Sequence, residues 1–207
     1  MSFRDWRQQF LTARGLKKPN GQMLFAYRTT ANEYLELRQL FGQKLEGLQG
    51  RDWYFGSVDE CALFVLYAAE WWRRDYDGGP WRWMHILESL HDGKIQLPIT
   101  ERNDAVERGM LSWGHRVGDE GKKYLGAIVA HGGLPLQMVA RGDGAVTKLL
   151  YRATQSAQMF LWDEWRLMEF FKEQDASLVS HLREPAIHRL LASIVMQVLV
   201  LKREHRL

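Results

Sequence analysis

Residues 57–74 read Ser-Val-Asp-Glu-Cys-Ala-Leu-Phe-Val-Leu-Tyr-Ala-Ala-Glu-Trp-Trp-Arg-Arg, the strongest helical signal in the chain. Its first four residues are a capping box, in which a serine and a glutamate three residues later satisfy the amino end of a helix. Apolar residues then follow on nearly every side of the predicted helix, which leaves no face for solvent. We therefore predict a central helix from Ser57 to about Arg74, with other elements packed around it.

Shorter helical patterns lie on both sides of this central segment. They are residues 2–14, 30–45 (opened by a second capping box, Thr30-Ala-Asn-Glu33), 81–90, 101–113, 120–131, 145–158, 162–174 and a last helix that begins at Pro185. Strand signals are confined to 22–28 and 94–97. The pattern predicts an all-α protein, an irregular array of helices with at most one or two short strands. We predict one helical domain over 1–207, and a division into two packed subdomains, about 1–98 and 99–207, stays open.

The composition is that of a globular protein, with 46% apolar and 26% charged residues among 207. Nine tryptophans are many for this length, and aromatic side chains bury large areas, so a few of them can dominate a core. The single Cys61 excludes an internal disulfide and a cysteine-based zinc cluster. The net charge of +3 comes from interleaved acidic and basic residues, so it permits nucleic-acid binding without indicating it.

The chain shows no sign of a membrane or of secretion. A signal peptide requires an apolar segment after its first charged residues, and no such segment is present near residue 1. The longest unbroken apolar run, Cys61 to Ala69, is too short to span a bilayer. We therefore predict a cytoplasmic protein with no membrane partner.

Two groups of donor side chains have spacings that could suit a metal ion. They are His181, Glu184 and His188, and Asp75, Asp77 and His85. Pro185 interrupts the first group, so its members need not share a helix face, and the polar start of a helix is the favoured interpretation. The second group more simply caps a turn and faces solvent. No metal site is predicted.

The matches to known catalytic and nucleotide-binding motifs are incomplete. Glu120-Gly-Lys122 with the upstream Asp104 matches part of a metal-dependent nuclease pattern, but its flanks are predicted helices rather than the strands that such a site uses. Gly142-Asp-Gly144 is only part of a phosphate-binding loop. Cys61 opens an apolar helix and is interpreted as an inert core residue. We predict no cofactor and do not expect an enzyme, with a nuclease kept as an alternative.

The densest cluster of tryptophan and arginine runs from Ala69 to Trp83. Indole and guanidinium groups can stack on unpaired bases while arginines bind phosphates, which gives a nucleic-acid hypothesis. A second basic cluster comprises Lys122 and Lys123, with Lys148 and Arg152 one turn apart on another predicted helix, and a charge cluster of this size is usually a solvated face. The candidate contact residues are Trp72, Arg73, Arg74, Trp81, Arg82, Lys122, Lys123, Lys148 and Arg152. The alternative is that the tryptophans belong to the core and the arginines pair with nearby carboxylates, including Glu70.

Three segments carry a resemblance to a known group of proteins. The runs 69–79 (Ala-Glu-Trp-Trp-Arg-Arg-Asp-Tyr-Asp-Gly-Gly), 30–38 and 132–136 are similar to the N-terminal region of large bacterial proteins encoded in phage-defence islands. The resemblance covers roughly the first two thirds of the chain and includes no active-site motif. It implies a multicomponent antiviral setting, of the kind that contains a helicase partner. Those proteins are much longer than this chain.

The sequence therefore favours a non-catalytic helical component of a bacterial anti-phage defence system. Its partners would be another defence-system protein, DNA or RNA. A pure protein-interaction scaffold is the alternative, with the last helix, from Ala186 to Leu201, packing on a partner chain.

Overall fold

The computed structural model describes residues 1–48, 51–78, 82–91, 95–118, 124–140, 144–178 and 182–205. The α-helices of these residues are α1 (Phe3–Thr12), α2 (Ala31–Glu46), α3 (Val58–Asp75), α4 (Trp83–Leu90), α5 (Ile99–Ser112), α6 (Leu125–Gly132), α7 (Leu136–Ala140), α8 (Ala145–Phe160), α9 (Glu164–Glu173) and α10 (Pro185–His205). Short 3-10 helices cover Leu24–Tyr27 and Asp175–Ser177. The all-α prediction is confirmed, because the described residues form helices and no sheet.

The two expected extended segments have different outcomes. Gln96 pairs with Asp52 in an isolated parallel bridge, so an extended stretch does lie near residues 94–97. Residues 22–28, expected as a strand or an extended lead-in, instead contain the 3-10 helix Leu24–Tyr27. This expectation was wrong because Leu24 and Tyr27 are both buried, and their three-residue spacing places them on one side of a 3-10 turn.

Helix α3 is the centre of the fold, as the sequence predicts. Every residue from Glu60 to Trp72 is buried. It packs most extensively on α5 and also contacts α1, α2, α6 and α7. Its start differs in one detail from a full capping box: Ser57 accepts a hydrogen bond from the Glu60 amide, but the Glu60 carboxylate binds Gly56 N at 2.9 Å and the Trp53 indole at 3.1 Å. Lys44 forms an ion pair with the same carboxylate.

Two glycines allow α5 and α6 to pack directly on the backbone of α3. A Cβ atom at Gly109 would lie 2.4 Å from the Cys61 carbonyl oxygen, and one at Gly132 would lie 2.7 Å from the Ala69 carbonyl oxygen. Both distances are below any normal van der Waals contact. The absence of a side chain at these two positions is therefore required for the observed helix spacing.

The last three long helices form a second packed group. Helix α10 packs on α9 and α8, and α7 contacts both α3 and α8. Helix α5, which a division near residue 98 would separate from α3, is the helix that packs most extensively on α3. Among the described residues, Pro185–Glu204 is the one helix with the length and mean hydropathy, 1.4, to cross a bilayer, although 39% of its apolar window is buried against the rest of the protein.

Candidate interaction surfaces

Trp72 lies in the core. Its side chain is 0% exposed, its indole Nε1 donates to the Gly133 carbonyl oxygen at 2.8 Å, and its ring stacks on Tyr76 with centroids 4.3 Å apart. A nucleobase cannot reach this ring without unpacking α3 from α6. The structure thus places Trp72 where the core alternative predicts it, and not on a contact surface.

Arg73 and Arg74 are both neutralised by Glu70. The buried Glu70 carboxylate accepts from Arg73 Nη2 at 2.6 Å and from Arg74 Nε at 2.8 Å. Arg74 Nη2 also donates to the Thr29 carbonyl oxygen. Since a buried carboxylate needs these cations, neither guanidinium is available for a phosphate without uncovering that charge. This confirms the pairing alternative for both residues.

The remaining candidates are dispersed. Arg82 is exposed at the amino end of α4, and Lys148 and Arg152 are exposed one turn apart on α8. Trp81, Lys122 and Lys123 lie outside the described residues, as do Glu120, Gly142 and His181. Asp104, the other member of the nuclease pattern, pairs with Arg108 at 3.1 Å in an exposed position.

The described residues contain no group of three or more histidine, cysteine or acidic side chains that could hold a metal ion. His188 Nε2 instead forms a hydrogen bond with Asp175 Oδ1 at 2.8 Å, and Asp75 accepts a hydrogen bond from Tyr34 at 2.6 Å. Cys61 is buried, and burial raises the pKa of its thiol to about 11, as fits an unreactive core residue.

Two histidines meet between α5 and α6. The rings of His115 and His131 are 4.2 Å apart and tilted by 63°, and His115 Nε2 donates to the Gln22 carbonyl oxygen at 3.0 Å. His131 is buried, and its Nδ1 has no hydrogen-bond partner. Burial, with a smaller contribution from His115, lowers the pKa of His131 to about 3. His131 is therefore neutral in the folded protein at physiological pH.

This pKa predicts a loss of stability in acid. The folded-state pKa of about 3 is below the ordinary value of 6.5, so the unfolded chain binds more protons between these two values. The contribution of His131 to the free energy of unfolding is complete above pH 6.5 and is lost as the pH is lowered towards 3, with a slope of up to about 1.4 kcal/mol per pH unit. Urea unfolding of the wild type and of a His131→Gln variant between pH 3 and 6.5 gives the slope of the free energy of unfolding against pH for each protein. The slope should be smaller in the variant. Identical slopes would contradict the assignment.

Among the described residues, the densest run of large, highly exposed apolar side chains lies where α8 meets α9. It consists of Met159, Phe160, Leu161 and Trp165, which are 73%, 63%, 80% and 68% exposed, and we call it the apolar corner. Single exposed apolar residues are ordinary, but a group of four large ones in a seven-residue segment is typical of a contact surface.

The backbone of the apolar corner is also unusual. Leu161 ends α8 in a left-handed conformation, with φ of 53°, where glycine or asparagine is the common residue. A leucine in this conformation costs roughly 1 kcal/mol. A large side chain held at this cost and exposed to solvent points to a role outside the fold of this chain.

The apolar corner adjoins the carboxyl end of α10. Leu161 and Gln158 line a cleft of about 160 Å³ with Leu199, Lys202 and Arg203, and Lys202 Nζ donates to Gln158 Oε1 at 3.1 Å. Sequence reasoning did not identify this surface. The available signal was the run Met159-Phe-Leu-Trp162, because four consecutive apolar residues at a helix end do not fit one buried face.

The fold and these surfaces define an all-α protein whose candidate site is an exposed apolar corner rather than a cleft of catalytic side chains in the described residues. Residues 1–134 match the family model described as the YjiT N-terminal domain, and residues 141–207 match the YjiT second domain. The chain therefore belongs to the YjiT family.

A curated relative supports this assignment. Protein YjiT of Escherichia coli (strain K12) is 32% identical in an alignment of 147 residues, which covers 67% of this chain and 26% of that protein. The chain thus spans about a quarter of the length of this relative. The resemblance to the N-terminal region of a longer bacterial protein is confirmed at this level. No solved structure matches the chain.

Proposed function

We propose that this chain is a non-catalytic helical module of a bacterial anti-phage defence system, and that it acts by binding protein through the apolar corner. The occupant of the corner is the region that follows the second domain in longer YjiT-family proteins. The observation that carries the proposal is the exposure of Phe160, Leu161 and Trp165, each more than 60%.

The energetics favour a covered corner. Burying one large apolar side chain contributes roughly 1.5–3 kcal/mol. The four side chains of the corner together represent several kilocalories per mole of gross driving force, which is enough to hold two domains of one polypeptide together. The left-handed Leu161 adds pre-organisation, because its position is already set by the helix end before any partner binds.

The choice of occupant follows from the position of the corner and from the family. The corner lies within residues 141–207, which match the second domain. It also lies beside the carboxyl end of α10. We expect residues that follow the second domain in a longer relative to have a short path to the corner.

Charge substitutions at the corner test this proposal. This chain is co-expressed with the region that follows the second domain in a longer relative. We expect Leu161→Asp and Trp165→Asp to abolish co-purification of that region with this chain, while both variants fold as the wild type does. The matched control is Leu111→Asp, because Leu111 is also 64% exposed but lies on α5. Equal loss in the control, or full retention in both corner variants, would refute the corner as the contact surface.

The defence setting rests on the resemblance of segments 30–38, 69–79 and 132–136 to proteins of phage-defence islands. Its test is the efficiency of phage plating on cells that carry the native locus. Cells with the wild-type locus should resist at least one phage, and Trp165→Asp should restore plating if the contact is needed for protection. Equal plating with and without the locus, over a broad phage panel, would remove this part of the proposal.

A further inference from the structure

The solvent-facing side of α8 carries basic residues and no acidic residue. Helix α8 contains Lys148 and Arg152 and neither aspartate nor glutamate. Between Lys148 and Met159 its exposed residues follow the helical period, so they lie on one face of the helix, opposite its buried residues. These exposed residues, which we call the α8 face, are Lys148, Tyr151, Arg152, Gln155, Gln158 and Met159.

The cations of the α8 face lack the partners that exposed charges have on the next helix. On α9, Arg166 pairs with Glu173 at 3.0 Å. Neither Lys148 nor Arg152 forms an ion pair with any residue that the structure describes. A helix face that meets only solvent commonly mixes both signs of charge. The α8 face differs from such a solvated face in its composition and in its unpaired cations.

The placement of these two cations is unfavourable for α8 itself. Lys148 and Arg152 are four positions apart, and like charges at this spacing on a helix repel each other. Lys148 is also the fourth residue of α8, near the amino end, where the helix dipole favours acidic residues. A carboxylate supplied by a partner would relieve both effects. The charge pattern therefore indicates a partner that is acidic opposite the amino half of α8.

The α8 face continues into the apolar corner. Met159 belongs to both surfaces and is 73% exposed, and Tyr151, beside the cations, is 67% exposed. Arg152 lies two helical turns, or about 10 Å, from Met159 along α8. A basic half and an apolar half thus lie in line on one exposed helix, which is the complement of an amphipathic helix with acidic residues at one end.

We propose that the segment covering the apolar corner is an acidic amphipathic helix that also lies along the α8 face. Its apolar side chains pack on the corner, and its carboxylates, about two turns away, pair with Lys148 and Arg152. The inference rests on the proposed function, because it gives the chemistry of the segment that binds the corner. A nucleic acid strand fits this surface less well, because two cations beside large apolar side chains offer few contacts to phosphates.

The experiment measures the affinity of the chain for the region that follows the second domain in a longer relative, produced as a separate polypeptide, by isothermal titration calorimetry. At about 50 mM salt, the double variant Lys148→Glu/Arg152→Glu should bind about tenfold more weakly than the wild type, because two attractions become repulsions. The difference should largely vanish at about 1 M salt, where charges are screened. The matched control is Lys17→Glu/Lys18→Glu, which makes the same change of net charge at two exposed residues after α1 and should bind as the wild type does.

The single variant Lys148→Glu distinguishes a role in binding from a role in the fold. It places a glutamate near the amino end of α8 and four residues before Arg152, and both effects favour the helix. Its Tm should therefore equal or exceed that of the wild type, while its affinity for the same region falls. A lower Tm with unchanged affinity would show that Lys148 serves the fold of α8, and would overturn the proposal.

Comparison with the corner variants separates the acidic helix from the proposed function. If Trp165→Asp loses binding while the α8 double variant binds as the wild type does at low salt, the acidic helix is overturned and the corner remains the contact. If Trp165→Asp binds fully, the corner itself is refuted. A labelled oligonucleotide that binds the wild type at about 50 mM salt, but not the α8 double variant, would assign the α8 face to nucleic acid and overturn the proposal.

Discussion

Replacing Trp72 by alanine should lower the free energy of unfolding by about 4 kcal/mol, within the range for large aromatic residues removed from a core. The ring is 0% exposed, stacks on Tyr76, and donates a hydrogen bond to Gly133. The substitution therefore leaves a cavity and an unsatisfied carbonyl oxygen between α3 and α6. Urea unfolding followed by circular dichroism measures the effect.

The matched control is Trp165→Ala, the same change at a residue that is 68% exposed. It should alter the free energy of unfolding by no more than about 0.5 kcal/mol, as surface substitutions usually do. The two variants together distinguish a core tryptophan from an exposed contact tryptophan, which the spacing of residues in the sequence cannot do. Similar losses in both variants would show that Trp165 is packed in the isolated chain and that the apolar corner is not exposed.

Replacing Gly109 by alanine should cost about 3 kcal/mol, although alanine is the better helix former. The new methyl carbon would lie 2.4 Å from the Cys61 carbonyl oxygen and 2.8 Å from Val65 Cγ1. Since the first contact is with backbone, no side-chain rotation can relieve it, and α5 must move away from α3. The same unfolding experiment gives the loss of stability.

Gly42→Ala provides the control for Gly109→Ala. Gly42 also lies inside a helix, α2, but a Cβ atom there would be 3.4 Å from its nearest neighbour, the Leu90 carbonyl oxygen, which is ordinary contact. This variant should be as stable as the wild type or up to about 1 kcal/mol more stable, because alanine favours the helix. A Gly109→Ala variant that behaves in the same way would mean that α3 and α5 are farther apart than described.

The positions of the helices could be predicted from the sequence because capping residues and apolar patterns involve residues that are close together in the chain. The capping box at Thr30 is formed as predicted, with Glu33 N bonded to the threonine hydroxyl and the Glu33 carboxylate bonded to Thr30 N. The apolar residues on nearly every side of the segment 57–74 predicted a central helix, and α3 is that helix. These features depend on residues within a few positions of one another, so one sequence is enough.

The candidate surfaces depend on contacts between distant residues, which the sequence does not display. Trp72 and Trp165 both stand in helical segments, and burial of the first depends on Gly132 lying against α3. The neutralisation of Arg73 and Arg74 was accessible from sequence, because Glu70 is three and four residues away.

Site-specific photocrosslinking shows directly which protein surface lies against the apolar corner. A benzophenone amino acid is placed at position 160 or 165, with position 111 as the control, in cells that carry the native locus, and the crosslinked peptides are identified by mass spectrometry. We expect strong crosslinks from 160 and 165 to the region that follows the second domain, and weak ones from 111. Crosslinks from 160 and 165 that lead to a second copy of residues 1–207, or that are no stronger than those from 111, would contradict it.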